Sequence, residues 1–162
     1  MADTFAYREE PRPSDTEAVA RIVGAWGLFR PDEVGVAVEL VEERLARGLD
    51  SAYRFWFADG PDGVLAGYAC YGPIACTVGC HDLYWIAVDK AVQGLGLGWR
   101  LMELSEESIR ALGGRRVYVE TSGKALYEPT REFYRRRMYR TAAVMTDFYD
   151  IGDDKIVFFK DL

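Results

Sequence analysis

The segment Gln93-Gly94-Leu95-Gly96-Leu97-Gly98 places a glycine at every second position between an apolar run and the start of a helical pattern. Glycines spaced this way let the chain turn tightly and let backbone N–H groups approach a ligand without side-chain interference. Consecutive N–H groups at such a helix start form a cradle for a pyrophosphate. Two common pyrophosphate signatures fail on spacing. A P-loop needs Gly-x-x-x-x-Gly-Lys followed by Ser or Thr, and no such string exists in the chain. A dinucleotide fingerprint starting at Gly94 needs its third glycine where Trp99 stands, and one starting at Gly96 needs it where Leu101 stands.

Cys76, Cys80 and the single histidine, His81, are the other cluster with chemical potential. Structural zinc sites use paired short loops and four ligands, and this spacing supplies neither. The reading is a thiol-bearing loop between two strands with no metal. Three cysteines, odd in number and clustered with Cys70 as the third, suit reduced thiols better than a disulfide framework.

The elements that must hold the glycine loop follow from periodicity. Residues 83–88, Leu-Tyr-Trp-Ile-Ala-Val, are apolar at both alternating positions, as in a strand covered on both sides at the centre of a sheet. Leu97, Leu101, Leu104, Ile109 and Leu112 then lie near one helical face, Gly113-Gly114 stops that helix, and 117–121 is a second buried strand. Strand, loop, helix and strand in this order make a crossover between parallel strands. Upstream, a strand near 5–9 precedes a helix opened by Ser14 and Glu17 as a capping box. A second helix runs from Pro31 to the stop at Gly48, and a hairpin turns at Gly60-Pro61-Asp62-Gly63. Downstream, a helix over 129–137 precedes strands near 141–149 and 156–160. The fold class is α/β, a central mixed sheet with helices on both faces, in a single domain over 1–162.

The run Gln93, Gly96 and Gly98 after Ile86-Ala87-Val88-Asp89 resembles the Gln/Arg-x-x-Gly-x-Gly/Ala signature of the GNAT N-acetyltransferases. In the acetyl-CoA motif it resembles the ribosomal-protein N-terminal acetyltransferase branch. The resemblance covers about residues 83–140, and over the N-terminal half it rests on element order. It implies a GNAT-type fold and acetyl-CoA as co-substrate. It also implies that Gln93, Gly94, Leu95, Gly96, Leu97, Gly98 and Trp99 hold the pyrophosphate, while backbone groups of Ile86, Ala87 and Val88 pair with the pantetheine arm. Two departures stand out. The Asn that often precedes the family's last helix is missing, with Tyr127 in the region, and the Gly-Phe that usually follows it is Met138-Tyr139.

Acetyl transfer needs a neutral amine, yet an alkyl ammonium has a pKa of about 10.4. Glu120 is the expected base, because the C-terminal end of its strand borders the crevice where open α/β sheets bind ligands, and a Glu at this strand position accepts the proton in some family members. Asp82 competes for that role, although a strand-leading Asp is commonly turn chemistry. Tyr134, in Arg131-Glu132-Phe133-Tyr134, matches the family's Phe-Tyr pair and is the expected general acid for the leaving thiolate. Arg135, Arg136, Arg137 and Arg140 read as a solvated face rather than a phosphate site, and Tyr84 and Trp85 as core and crevice lining.

The chain has 162 residues, 49% of them hydrophobic, and a net charge of -6 from 20 basic and 26 acidic residues. That balance disfavours a polyanion binder, so nucleic acid is not expected as a partner. The first residues carry no apolar run and no membrane segment is apparent, so a cytoplasmic location is expected. The acceptor is read as an amine of a small molecule or peptide. An oligomer is left open. A coenzyme A binding or regulatory module without transfer activity is the alternative function.

Overall fold

The computed structural model describes residues 5–162. Among the described residues, seven strands and four α-helices follow in the order β1 (Ala6–Arg8), α1 (Asp15–Ala25), α2 (Pro31–Arg47), β2 (Arg54–Asp59), β3 (Leu65–Pro73), β4 (Cys80–Val88), α3 (Leu97–Ala111), β5 (Arg116–Ser122), α4 (Glu128–Arg136), β6 (Arg140–Asp150) and β7 (Asp153–Asp161). The strands form a mixed sheet in the order β1-β2-β3-β4-β5-β7-β6. β4 and β5 run parallel, whereas the β1–β2, β2–β3, β5–β7 and β6–β7 pairs are antiparallel. The chain divides into two compact units, one of residues 5–72 with 85–108 and one of residues 73–84 with 109–162.

In the first unit, β2 separates two helical layers. Phe55 and Phe57 alternate onto one face, where they join Val19, Ile22 and Val23 of α1, Ala37 and Val41 of α2, and Tyr68 and Cys70 of β3 in a buried cluster. Trp56 points the other way and donates from Nε1 to Ser108 Oγ of α3 at 3.0 Å. The period-2 pattern of one strand thus sets α1 and α2 on one face and α3 on the other. Arg8 clamps the entry to α1: it donates to Asp15 at 2.7 Å and to Asp59 at 2.9 Å, with Asp15 almost fully buried. The capping box expected at Ser14 does not form. Ser14 is the N-cap residue but makes no side-chain capping bond, because its own backbone is already helical, with φ −68° and ψ −15°; the Arg8–Asp15 pair ties this end down separately. At α2 one half of such a cap occurs, with Glu33 accepting the Arg30 backbone N–H at 2.7 Å.

In the second unit, β4 pairs with β5 through Cys80–Arg116, His81–Val117 and Asp82–Tyr118. Cys80 and His81 therefore lie within the strand rather than in the loop expected from sequence, and only Cys76 is in the turn, exposed. The chain packs closely beside His81 at Gly114. A Cβ there would stand 2.3 Å from Ile109 Cγ2 and 2.9 Å from His81 Nδ1. Among the described residues no group of three or more His, Cys, Asp or Glu could hold a metal ion. α4 lays Tyr134 against Phe158 of β7, with ring centroids 5.9 Å apart.

A further correction concerns 83–88. Leu83 is buried, but Tyr84 is 38% exposed and 85–88 are only half-buried, so the strand is not covered on both sides along its whole length. Apolarity at both alternating positions reads the same for full burial and for a half-open crevice wall.

Candidate active site

In the first unit the end of β4 is pinned from several directions. Trp26, just past the end of α1, donates from Nε1 to the Val88 carbonyl at 2.9 Å, and the Asp89 N–H donates to the Ala66 carbonyl at 2.7 Å. The Asp89 carboxylate accepts the Ala91 N–H at 2.9 Å and pairs with Arg21, and both contacts hold its pKa below the ordinary carboxylate value. Ile86, Ala87 and Val88 occupy this anchored stretch and are half-buried.

Gly94 and Gly96 have φ of +85° and +81°, and a Cβ at either would meet no atom within 4 Å. They are required for the backbone path, and they leave open space above it. Gln93, Gly94, Leu95 and Gly96 are exposed, while Leu97 is buried and seats the first turn of α3. The N–H groups of that turn, at Leu97, Gly98 and Trp99, lack intrahelical acceptors by geometry and lie at the positive end of the helix. Such a cradle fits a pyrophosphate, and so fits the coenzyme moiety of acetyl-CoA.

Sequence reasoning missed Gly67, which brings this loop close to β3. A Cβ there would lie 3.1 Å from the Ala87 carbonyl oxygen, from Val88 Cγ1 and from Leu97 Cδ2. A glycine inside an apolar strand is the available signal for such an approach.

In the second unit, Glu120 stands near the end of β5, half exposed, and its carboxylate pairs with Lys155 Nζ at 2.9 Å. Asp82 shares the face of Tyr118, its register partner, and therefore of Glu120 two residues on. Burial raises the Asp82 carboxyl to about 6, with Glu120 pushing in the same direction and Lys155 opposing. Lys155 Nζ also lies 3.7 Å from the centroid of the Phe148 ring and 5.7 Å from that of Tyr149. Lys155, Phe148 and Tyr149 carry no motif, and no short-range signal marks them.

Tyr134 is 5% exposed, among the rings of Phe133, Tyr139 and Phe158. Burial pushes its phenol above the ordinary value of about 10, so it stays protonated across the physiological range. Glu120 is in register with Val157, and the next residue, Phe158, faces the opposite side of the sheet, where Tyr134 packs. Glu120 and Tyr134 are thus on opposite faces of the second unit's sheet.

The departure after α4, Met138-Tyr139, has a structural reading. Met138 adopts φ +67°, the left-handed conformation a glycine takes without strain, and Tyr139 is buried with its ring 5.8 Å from that of Tyr134. The neighbouring arginines serve as surface partners: Arg135 pairs with Glu128 at 2.8 Å, Arg136 with Glu132 at 3.2 Å and Arg140 with Asp161 at 3.3 Å.

Comparison with known proteins gives this arrangement a class. The model of the acetyltransferase (GNAT) family matches residues 20–138. A GNAT-family protein from Desulfovibrio desulfuricans of known crystal structure is 44% identical, with TM-score 0.93 over 97% of this chain and 98% of that one. The chain belongs to the GNAT acetyltransferase family, and it is an acyltransferase of the N-acetyltransferase type. Two more distant structures share the fold alone. The ribosomal-protein-S18-alanine N-acetyltransferase from Escherichia coli is 18% identical, with TM-score 0.74 over 97% of this chain and 93% of that one. An aminoglycoside 6'-N-acetyltransferase solved with coenzyme A is 18% identical, with TM-score 0.76 over 97% and 96%. A search of curated proteins found no match. Among the described residues, no helix is long and apolar enough to cross a membrane.

Proposed function

We propose that the chain acts as one N-acetyltransferase domain that transfers the acetyl group of acetyl-CoA to a primary amine of a small molecule or peptide. The observation that carries this reading is the cradle at 93–99, where two left-handed glycines and an open helix start follow a pinned strand end. Acetyl-CoA supplies an activated thioester carbonyl. Gln93 to Trp99 bind and orient its pyrophosphate through backbone N–H groups, and Ile86, Ala87 and Val88 offer the backbone groups of a half-open strand to the pantetheine arm.

Glu120 accepts the proton that the acceptor nitrogen must lose, and Tyr134 donates one to the departing sulfur. The nitrogen and the sulfur are bound to one carbonyl carbon in the intermediate, so both groups must serve one locus, and from the opposite face Glu120 does so at the strand end through water. A phenol raised by burial is a reluctant acid, which suits a thiolate that already leaves tolerably because a thiol's pKa is about 8.5.

The test is a screen of purified protein with acetyl-CoA against alkylamines, amino sugars, amino acids and peptides, reading free thiol release and acetylated product. Amine-dependent, saturable release is the expected result. Coenzyme A binding with no turnover on any amine would replace this reading with that of a binding module.

A further inference from the structure

The group that meets Glu120 is itself a primary alkyl ammonium. Lys155 Nζ stands 2.9 Å from Glu120 Oε2, and its side chain is 12% exposed while that of Glu120 is 51% exposed. Beneath the same ammonium lies the Phe148 ring at 3.7 Å, itself 48% exposed, with the Tyr149 ring at 5.7 Å. A covered cation is thus ringed by a carboxylate and two aromatic side chains that remain open to solvent. A carboxylate and aromatic faces converging on one cation are the elements of alkyl ammonium recognition. A plain surface ion pair needs no rings.

Strand register explains how the groups meet. Lys155 is opposite Ser122 on β5, so Glu120, opposite Val157, is its diagonal neighbour on the same face. On the other side Lys155 is opposite Met145 of β6, after which β6 leaves the ladder until Asp150 meets Asp153. The residues that loop out, 146–149, include both rings. Asp147 anchors the excursion: it takes φ +51°, its N–H donates to Asp154 Oδ1 at 2.9 Å, and its Oδ1 accepts the Gly152 N–H at 2.7 Å. A left-handed non-glycine residue held by two hydrogen bonds fixes where the rings stand. Asp82, on the face of Glu120, adds a second negative charge.

We propose that Glu120, Phe148 and Tyr149 form the ammonium subsite for the acceptor, and that Lys155 is its resident competitor. An alkyl ammonium enters by displacing the Lys155 head group, which returns Glu120 to the position of a free base beside the incoming nitrogen. Lys155 thereby sets the threshold of affinity an acceptor must exceed. The exchange is possible because Glu120 and both rings stay open to solvent around the covered lysine head, so an incoming cation reaches them directly. The inference deepens the amine acetyltransferase reading and rests on it for its functional meaning, yet its test needs no turnover.

The probe is butylammonium, with butan-1-ol as its neutral counterpart, titrated by NMR in the absence of any acetyl donor. Lys155→Met and Lys155→Gln should each bind butylammonium about fivefold more tightly than the parent. Neither should gain affinity for butan-1-ol. Lys155→Arg keeps the competitor and should resemble the parent. Phe148→Leu added to Lys155→Met should reverse most of the gain. Lys124→Met, which frees Asp153 at a neighbouring pair of 3.6 Å, controls for simple removal of a positive charge and should leave affinity unchanged. If both Lys155 variants fold but bind butylammonium no more tightly than the parent, or no more tightly than Lys124→Met, the proposal is overturned. Tighter binding of butylammonium without thiol release once acetyl-CoA is supplied would leave the subsite standing and remove the acetyltransferase reading instead.

Discussion

In the loop at 93–99 the chemistry resides in consecutive backbone N–H groups of one short segment. In the cluster around Lys155 it resides in side chains drawn from β5, β6 and β7. The first needs little more than glycines at the right spacing and a helix start, so it is written locally. The second exists only because strand register and a looped-out segment bring distant residues to one face. A family can keep the local device unchanged while the register-built one varies, in keeping with the proposal of cofactor use for the first region and acceptor choice for the second.

The largest expected effect tests whether the loop is as local as it looks. Gly67→Val would press a branched side chain against Ala87, Val88 and Leu97, each only 3.1 Å from the position of a Cβ. Overpacking of this kind costs about 1–3 kcal/mol and shifts the backbone. Calorimetry should show affinity for coenzyme A falling by about a hundredfold, the fold-change equivalent of about 2.7 kcal/mol. Unchanged affinity would mean that the loop needs no seat on β3.

Tyr134→Phe keeps the ring packing against Phe158 and removes only the hydroxyl. Turnover should fall by about a hundredfold, the usual scale for a positioned general acid, with coenzyme A affinity unchanged. Full turnover, with an unchanged solvent isotope effect, would reduce Tyr134 to a packing residue.

Glu120→Gln keeps shape and removes basicity. Acetylation of an alkylamine should fall by about tenfold or more at pH 7 and recover partly as pH rises toward the amine's pKa of about 10.4, because free amine then no longer depends on the base. A pH–rate profile that overlays the parent's would exclude Glu120 as the base and leave Asp82 as the carboxylate to test.

The smallest effect concerns Met138, which is largely exposed and holds φ +67° at the end of α4. Met138→Gly should stabilise the protein by about 1 kcal/mol in urea unfolding, since glycine adopts that conformation without a Cβ penalty. Loss of stability would show that the Met side chain contributes packing that offsets the strain.

The same contrast explains what could be read in advance. The element order, the hairpin turning at 60–63, the helix stops at Gly48 and Gly113 and the glycine cradle were all legible, because each depends on neighbours in sequence. Glu120 and Tyr134 could be named from strand position and a short motif, but their placement on opposite faces needed the register of β5 with β7. The partnership of Lys155 with Glu120 and the rings of Phe148 and Tyr149 could not be read, because no short-range pattern encodes a looped-out edge strand. The capping box at Ser14 failed because Ser14 takes helical dihedrals in the folded chain, which its residue type does not announce.

The central claim is that the glycine loop is the acetyl-CoA site, and Gly96→Asp tests it most directly. The substitution adds a carboxylate and a Cβ at a φ of +81° in the open space of the cradle. Calorimetric titration of acetyl-CoA into the parent and into the variant, with both shown to be folded, is the measurement. The account predicts saturable binding to the parent and none detectable to Gly96→Asp. Equal affinity in the two proteins would contradict it and move the cofactor away from this loop.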